Sequence, residues 1–315
     1  MANWKIVAKR MHQCKRSYKD IAAKVGKTAA EVRSYIREEK QKEQDRKNSP
    51  QKFTAFENLA PSTHVQSWNG NKVLTFGLIS DTHINSKYTQ LTYLHDFYKL
   101  CARREIADIY HAGDIDEGEQ MRVGHQYDCY TQGSDDHVNE IITNFPKIGG
   151  ISTHFITGNH DSSVYKKCGV DIGESIAIKR SDMNYLGRDC ARIEITPNCI
   201  LELRHPWDGT AYAISYKPQK MIESMEADSK PNILAIGHYH KMEYLFYRNV
   251  HCFQAGCFQT QTPFTRGKGI SVHLGGWIIT VEVDKKGYVQ RLIPEIIRFY
   301  KGIDLDYENW SRYAK

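Results

Sequence analysis

The chain has 315 residues, of which 40% are hydrophobic and 25% charged, and its formal net charge at pH 7 is +6. These values are ordinary for a globular protein with one large domain or two modest ones. No apolar run reaches the roughly 18 residues of a membrane span, and the N-terminus lacks the apolar core of a signal peptide. We therefore predict a cytoplasmic protein with no membrane partner. The eight cysteines form no CxxC pair, which argues against a thiolate zinc site or a redox motif.

The positive charge is concentrated at the N-terminus. Residues 1–48 contain 14 Lys and Arg and 6 Asp and Glu, a net charge of +8, whereas residues 49–315 contain 29 and 31, a net charge of −2. This asymmetry is typical of a polyanion-binding appendage on a nearly neutral body.

Three short helices are predicted within residues 3–47. Ser17 and Thr28 are each followed three residues later by an acidic residue, which is a capping-box pattern, and Gly26 supplies a helix-ending turn. Two short helices, a glycine-containing turn and a basic second helix resemble a helix-turn-helix, so residues 1–48 are predicted to bind DNA. The predicted DNA contacts lie at or near the start of that second helix: Lys27, Arg33, Ser34 and Arg37. A plain helical hairpin with a solvated basic face is the alternative.

The rest of the chain is predicted to form a linker, one large domain and a tail. Residues 49–70 begin with a polar, proline-containing stretch and are interpreted as a linker or a lead-in. Between residues 71 and 300, β-rich and helical runs first alternate and are then mainly β, which favours an α/β or α+β layered domain with more than one sheet. Residues 301–315 are interpreted as a C-terminal tail.

Five short stretches carry the chemistry: LISDTHIN, HAGDIDEG, ITGNHD, ELRHPWDG and AIGHYHK. Each follows an apolar, β-rich run, so their polar residues are expected at strand ends, where one rim can collect residues distant in sequence. Any one of them alone would be an ordinary turn, but the ordered set is different. It supplies seven candidate metal ligands: Asp81, His83, Asp114, Asn159, His205, His238 and His240.

The ligand types indicate which metals would bind. Imidazole, carboxylate and amide ligands without thiolate suit manganese, iron, zinc or nickel better than calcium or magnesium. Two such cations roughly 3.5–4 Å apart, bridged by a carboxylate, can lower the pKa of a shared water and polarise a phosphoryl oxygen.

The order DxH, GDxxE, GNHD, H and GHxH resembles that of the calcineurin-like metallophosphoesterase superfamily over about residues 72–300. The resemblance implies a four-layer αββα sandwich of two mixed β-sheets flanked by helices, here preceded by the all-α segment. It also implies two divalent metal ions, manganese first, with iron, zinc or nickel as alternatives. By family pattern, the first ion would be held by Asp81, His83 and His240, the second by Asn159, His205 and His238, and Asp114 would bridge them. His160 would be the general acid or phosphate-contacting histidine, with Asp161 orienting its ring and raising its pKa.

Two departures narrow the class. Protein Ser/Thr phosphatases of this superfamily carry GDxVDRG, whereas Glu117 in this chain is not followed by an arginine, which favours phosphodiesterases, nucleases and small-molecule phosphatases. Trp207 and Asp208 replace a glycine pair found in similar phage and archaeal members. A member with an N-terminal helix-turn-helix resembles a bacteriophage or prophage protein, which would act in the host cytoplasm.

Three functions stay open at this point. The favoured one is a metal-dependent phosphodiesterase, a nuclease brought to DNA by residues 1–48. The second is a phosphatase or cyclic-nucleotide phosphodiesterase of small molecules, with the N-terminal helices binding a partner. The third is a non-catalytic scaffold, which the complete ligand set disfavours. No feature of the sequence predicts an oligomeric state.

Several further residues are candidates for a place near the site. The polar segment after the last motif offers side chains that could contact a phosphate or a base: Gln254, Gln259, Gln261, Arg266 and Lys268. His111 and His125 flank the second stretch and are interpreted as mainly structural.

Overall fold

The computed structural model describes residues 4–13, 16–48 and 62–313. The chain divides into two compact units, Met1–Ala60 and Pro61–Lys315. No helix in these described ranges is long and apolar enough to span a membrane.

The first unit contains three helices, α1 (Trp4–Gln13), α2 (Tyr18–Val25) and α3 (Ala29–Asn48). They enclose a small apolar core formed by Ala8, Ile21, Ala22, Val32 and Ile36. The helices were predicted from their capping signals, and these signals are confirmed.

At the start of α3, the Thr28 hydroxyl accepts the backbone N–H of Glu31 at 3.2 Å. The Glu31 carboxylate in turn accepts the backbone N–H of Thr28 at 2.8 Å, which completes a capping box. Ser17 caps α2 in the same way through the N–H of Asp20, and Gly26 ends α2 in the left-handed conformation.

The second unit contains twelve described strands and seven described α-helices. The strands are β1 (Ser62–Val65), β2 (Val73–Ile79), β3 (Asp108–Ala112), β4 (Ser152–Thr157), β5 (Met183–Arg188), β6 (Cys190–Thr196), β7 (Cys199–Arg204), β8 (Ile233–Ile236), β9 (Met242–Tyr247), β10 (Val250–Ala255), β11 (Leu274–Val283) and β12 (Val289–Phe299). The helices are α4 (Leu91–Arg103), α5 (Ser134–Asn144), α6 (Asp161–Cys168), α7 (Ile172–Lys179), α8 (Tyr216–Glu223), α9 (Pro263–Gly267) and α10 (Asp306–Tyr313).

The strands form two mixed six-stranded sheets, which confirms the predicted fold class. One sheet has the order β12-β11-β2-β3-β4-β5, and its strands β2 to β5 are parallel. The other has the order β1-β6-β7-β8-β10-β9, with β7, β8 and β10 parallel. One apolar core includes Leu78, Leu201 and Phe253 and lies between the sheets. A second core joins the first sheet to α4, α5, α7 and α10, and a third joins the other sheet to α8, so the domain has four layers.

Two segments outside the predicted domain belong to its fold. Residues 62–65, within the predicted lead-in, form β1, which pairs in parallel with β6 at the edge of a sheet. The tail assigned to residues 301–315 contains α10, in which Tyr307 is buried. The Asp306 carboxylate accepts the Thr92 N–H at 2.8 Å at the start of α4. The helix α10 is short, so its apolar residues show only a weak helical period and the sequence does not predict it.

Candidate metal centre

The seven predicted ligands all follow the carboxyl ends of strands. Asp81 and His83 follow β2, Asp114 follows β3 and Asn159 follows β4 in one sheet, whereas His205 follows β7, and His238 and His240 follow β8 in the other. Because neighbouring parallel strands end at the same edge, each sheet delivers its ligands to one rim. Where the two rims meet, three groups of described side chains could hold a metal ion. Two consist of predicted ligands, and the third, His83, Glu117 and His160, shares His83 with one of them.

The first ligand group consists of Asp81, His83 and His240. The Nε2 atoms of His83 and His240 lie 3.1 Å apart, and Nε2 of His240 lies 3.3 Å from Oδ1 of Asp81. Asp81 and His83 are buried. A neutral imidazole has one donor and one acceptor nitrogen, so this convergence of acceptors suits a bound cation.

The second ligand group consists of Asp114, His205 and His238, with Asn159 beside it. Nδ1–H of His205 donates to the Ala112 carbonyl at 2.7 Å, which leaves Nε2 of the neutral ring unprotonated. That nitrogen lies 3.0 Å from Oδ2 of Asp114 and 3.2 Å from Oδ1 of Asn159. Three acceptor atoms therefore face one another, as they would around a metal ion. The bridging role of Asp114 stays a prediction.

Buried carboxylates give this rim a strongly negative field. Burial raises the pKa of the Asp114 carboxyl, but the neighbouring His205 and His160 outweigh it and lower that pKa. Burial lowers the pKa of His205, yet the Asp114 carboxylate raises it to about 9. By contrast, burial lowers the pKa of His238 to about 4. A field that raises a buried imidazole pKa this far also attracts a divalent cation.

The backbone adopts a left-handed conformation at five of the seven predicted ligands. The φ angles are 50° at Asp81, 47° at His83, 55° at Asp114, 77° at His238 and 54° at His240. Such backbone costs an L-residue about 1–2 kcal/mol, and it persists where the surrounding structure enforces it, commonly at functional sites. The backbone geometry therefore indicates the same rim as the residue types do.

Two glycines allow the strand-end loops to approach closely. A Cβ atom on Gly158 would lie 2.4 Å from Oδ1 of Asp114 and 2.6 Å from Cδ2 of His205. A Cβ on Gly237 would lie 2.3 Å from the Ala112 carbonyl oxygen and 2.8 Å from Nδ1 of His205. No larger residue fits at either position without displacing His205.

The predicted pairing of Asp161 with the His160 ring is wrong. The Asp161 carboxylate instead accepts the backbone N–H groups of Gly158 at 2.7 Å, Asp116 at 2.9 Å and Ile115 at 3.3 Å, and so ties the loops after β3 and β4 together. Asp161 begins α6, and its side chain turns toward these orphan backbone donors.

His160 is oriented by a backbone carbonyl. Its Nδ1–H donates to the Glu117 carbonyl at 2.5 Å, and its ring centroid lies 4.6 Å from that of His83. Burial lowers the pKa of His160. The expectation that this pKa is raised is therefore also wrong.

Glu117 is a further residue of the centre. The GDxxE spacing predicts a carboxylate at this position but assigns no role to it. Its Oε2 atom lies 3.1 Å from Nδ1 of His83, and its Oε1 atom accepts Nε2–H of His125 at 2.9 Å. Gln259 donates to Oε2 at 2.5 Å, so this buried glutamine supports the site rather than facing a substrate. The only sequence signal was the spacing of Glu117 in GDxxE. His111 is structural, as predicted, and contacts the Thr82 hydroxyl at 3.0 Å.

Trp207 and Asp208 shape the loop after β7. The Trp207 indole N–H donates to the Asp189 carboxylate at 2.8 Å. The Asp208 carbonyl accepts Nε2–H of His238 at 2.6 Å, and its carboxylate accepts the Tyr239 hydroxyl at 2.6 Å. The loop that lacks the glycine pair therefore positions a candidate metal ligand.

The predicted DNA-contacting residues lie in the first unit. All four are exposed, with Lys27 in the turn before α3 and the others in α3: Lys27, Arg33, Ser34 and Arg37. Lys27 pairs with Glu31 at 3.4 Å, and Arg33 lies over the Tyr18 ring.

The chain has weak similarity to solved phosphoesterase-like structures. An archaeal phosphodiesterase is 13% identical with a TM-score of 0.39, covering 71% of this chain and 100% of the other. A zinc complex of Vps29 from Entamoeba histolytica is 12% identical with a TM-score of 0.36, covering 71% and 99%. A predicted phosphoesterase from Streptococcus pneumoniae is 11% identical with a TM-score of 0.33, covering 72% and 98%. No family model and no curated protein matches the sequence. With such scores, the case for a function depends on the site itself.

Proposed function

We propose that the chain is a dinuclear-metal phosphodiesterase of the calcineurin-like type that cleaves DNA. The observation that carries the proposal is the convergence of two acceptor-rich ligand groups at one rim, most of them on left-handed backbone. The ligand groups fit divalent cations because they combine buried carboxylates with imidazoles, two of which, His205 and His238, already donate their other N–H to a backbone carbonyl. Manganese is the first choice, with iron, zinc or nickel as alternatives.

The chemistry is hydrolysis of a phosphodiester. A water oxygen bonds to phosphorus, the bond from phosphorus to the leaving alcohol oxygen breaks, and that oxygen takes up a proton. Two divalent cations, when bound, would lower the pKa of a shared water and polarise the phosphoryl group. The Asp114 carboxylate accepts the backbone N–H of His160 at 2.9 Å. This hydrogen bond fixes the loop that carries His160 beside the ligand groups.

As a neutral ring, His160 would accept a hydrogen bond from the attacking water rather than contact a phosphoryl oxygen, because its free nitrogen can only accept. Its Nδ1–H is held by the Glu117 carbonyl, so the neutral ring has an unprotonated Nε2. Burial lowers its pKa, which favours this neutral form at neutral pH. It is therefore suited to accept a proton or hydrogen bond rather than to stand ready as an acid.

The N-terminal unit would supply DNA affinity. Its net charge of +8 contrasts with −2 for the rest of the chain. The exposed arginines Arg33 and Arg37 lie in the first half of α3, where the recognition helix of a helix-turn-helix contacts DNA. On this basis, residues 1–48 would bind DNA and the second unit would cut it.

A substrate panel tests the proposal. Manganese-loaded protein should hydrolyse bis-p-nitrophenyl phosphate and DNA faster than p-nitrophenyl phosphate or a cyclic nucleotide. Preferential hydrolysis of the monoester or the cyclic nucleotide would instead support a small-molecule enzyme. No hydrolysis of any phosphoester, with no metal retained, would support a non-catalytic scaffold.

A double variant separates binding from cleavage. R33A/R37A should weaken DNA binding and reduce its salt dependence, because each lost phosphate contact lowers the slope of log affinity against log salt by about 0.9. The matched control is K19A/K24A, which removes two exposed charges from α2. If both double variants bind DNA as the unaltered protein does, the helix-turn-helix assignment fails.

A further inference from the structure

Two separate clefts lie beside the loops that carry the candidate metal ligands. The first has a volume of about 470 Å³ and is lined by Asn159, Lys166, Lys167 and Trp207, among others. It therefore opens directly beside a predicted ligand of the second metal.

The second cleft also has a volume of about 470 Å³. Its lining includes Tyr239, which lies between the ligands His238 and His240. The adjacent residues Trp207 and Asp208 connect the clefts, since Trp207 lines the first and the Asp208 carboxylate binds Tyr239 of the second.

Lysines are concentrated in both clefts. The second is lined by Lys217, Lys241 and Lys268. Its described lining contains no Asp or Glu, but Lys217 pairs with the Asp208 carboxylate outside that lining. The Lys241 ammonium donates to the carbonyl and hydroxyl of Ser271, both neutral, so its positive charge is not cancelled by these contacts. In the first cleft, Lys167 pairs with Glu119, which also lines the cleft, and the Lys166 ammonium lies over the Trp207 ring, 3.8 Å from its centroid. Lysines outnumber carboxylates in the described lining of each cleft, so each can attract an anion near the candidate ligands.

Each cleft also contains an aromatic ring. Trp207 lines the first, and the wholly exposed Tyr212 lines the second. Lysines combined with aromatic rings are the features that hold single-stranded nucleic acid, because the lysines follow the phosphates and the rings stack on unpaired bases. A simple phosphomonoester or a cyclic mononucleotide carries a single phosphate and so has no further anionic group to occupy both clefts.

We propose that single-stranded DNA lies across the metal centre, with nucleotides on the two sides of the scissile phosphate held in the two clefts. Cleavage is then internal, and no free end is needed. This inference rests on the proposed phosphodiesterase function and adds its substrate form and its mode of attack.

A covalently closed single-stranded DNA circle tests this directly, since it has no ends. The manganese-loaded full chain should convert the circle to a linear strand and then to fragments on a denaturing gel. In Y212A, the ratio of the circle-cutting rate to the rate with bis-p-nitrophenyl phosphate should fall roughly tenfold, within the range of one lost base stack. Y212F keeps the ring and should show a smaller fall.

The lysines are tested by salt dependence. K241A/K268A should lower the slope of log affinity for single-stranded DNA against log salt by about 0.7 for each lost phosphate contact. K285A is the matched control, because Lys285 is exposed in the turn between β11 and β12. Since β11 is antiparallel to β2, this turn lies at the edge of the sheet opposite the metal centre.

The outcomes distinguish the two levels of the proposal. An intact circle together with cleavage of linear DNA from its ends overturns internal attack while leaving the phosphodiesterase in place. Unchanged circle cutting in both Y212A and K241A/K268A overturns the assignment of the clefts. Absence of bis-p-nitrophenyl phosphate hydrolysis by the unaltered protein overturns the proposed function and this inference with it.

Discussion

The two ligand groups hold their histidines by different means. In the second group, His205 and His238 each donate one ring N–H to a backbone carbonyl, those of Ala112 and Asp208. In the first group, His83 lies against the Glu117 carboxylate, whose other oxygen accepts from His125. A carboxylate partner raises the basicity of a ligating imidazole, whereas a carbonyl mainly fixes its tautomer and orientation.

We call the first group charge-supported, because a carboxylate lies beside its His83. We call the second group shape-supported, because backbone carbonyls hold its His205 and His238. The first group should respond mainly to removal of a charge near it. The second should respond mainly to changes in the close packing of the loops at Gly158 and Asp208. Each group can therefore be altered alone, and Asp114, which is predicted to bridge the two ions, provides a test that is expected to affect both.

Asp114→Asn should have the largest effect, since this carboxylate contacts His205 of the second group and the backbone of His160. We expect kcat/KM for bis-p-nitrophenyl phosphate to fall by more than about 100-fold. That is more than the usual loss when a residue that only contacts a metal ligand is changed. Metal bound per chain should fall as well, as measured by elemental analysis. The exposed Asp304→Asn is the control, and normal turnover by D114N would refute the site assignment.

Gly158→Ala should disable the second group by steric conflict, because its Cβ would lie 2.4 Å from Oδ1 of Asp114. We expect the free energy of unfolding in denaturant, measured with chelator present, to fall by about 1–3 kcal/mol. Of the two proposed metal ions, the one at the second group should also be lost. Gly149→Ala is the control, because its Cβ would meet no atom within 4 Å. Retention of both ions by G158A would contradict the predicted crowding.

Glu117→Gln keeps the size of the side chain and removes its charge. Metal affinity at the first group should fall roughly 10–100-fold, the usual cost of changing a partner of a ligand histidine, while the second group is retained. Calorimetric titration of metal-free protein with Mn²⁺ resolves the two affinities. The exposed Glu226→Gln should leave both unaffected. Equal weakening of both sites would remove the distinction between the groups.

Asp208→Ala should have the smallest effect. Its carboxylate accepts the Tyr239 hydroxyl, pairs with Lys217 and so steadies the loop whose carbonyl holds His238. Loss of the Tyr239 hydrogen bond corresponds to about 1 kcal/mol, or roughly fivefold in metal affinity at the second group, and an exposed ion pair adds little to it. Asp208→Asn retains an acceptor and should restore most of that affinity in the same titration. Equal losses with Asn and with Ala would show that charge, not loop shape, matters there.

The sequence predicts what depends on local patterns. Thr28 and Glu31 specify a helix start within four residues, and the capping box forms as expected. Apolar runs followed by Asp81, Asp114 or His205 predict strand ends, and the ligands converge because parallel strands end at one rim.

What the sequence does not predict depends on contacts between distant segments. Asp161 follows His160 directly, yet its carboxylate binds backbone groups of the loop after β3, which only the packed sheet brings near. Gln259 reaches Glu117 across 142 positions of sequence, so its buried role has no local signal. The β5 strand, with half-exposed and buried residues in no strict alternation, shows only a weak period of two.

The left-handed backbone limits which metals this centre could be redesigned to prefer. Asp, Asn and His are enriched among non-glycine residues with positive φ, whereas glutamate and cysteine are not. Installing a softer thiolate at Asp81, His83, Asp114, His238 or His240 would therefore add backbone strain to the change of ligand. Of the seven predicted ligands, His205 and Asn159 have no positive φ. Replacement of a ligand by a thiolate should therefore start at these two positions, both in the shape-supported group, because it adds no left-handed backbone strain there.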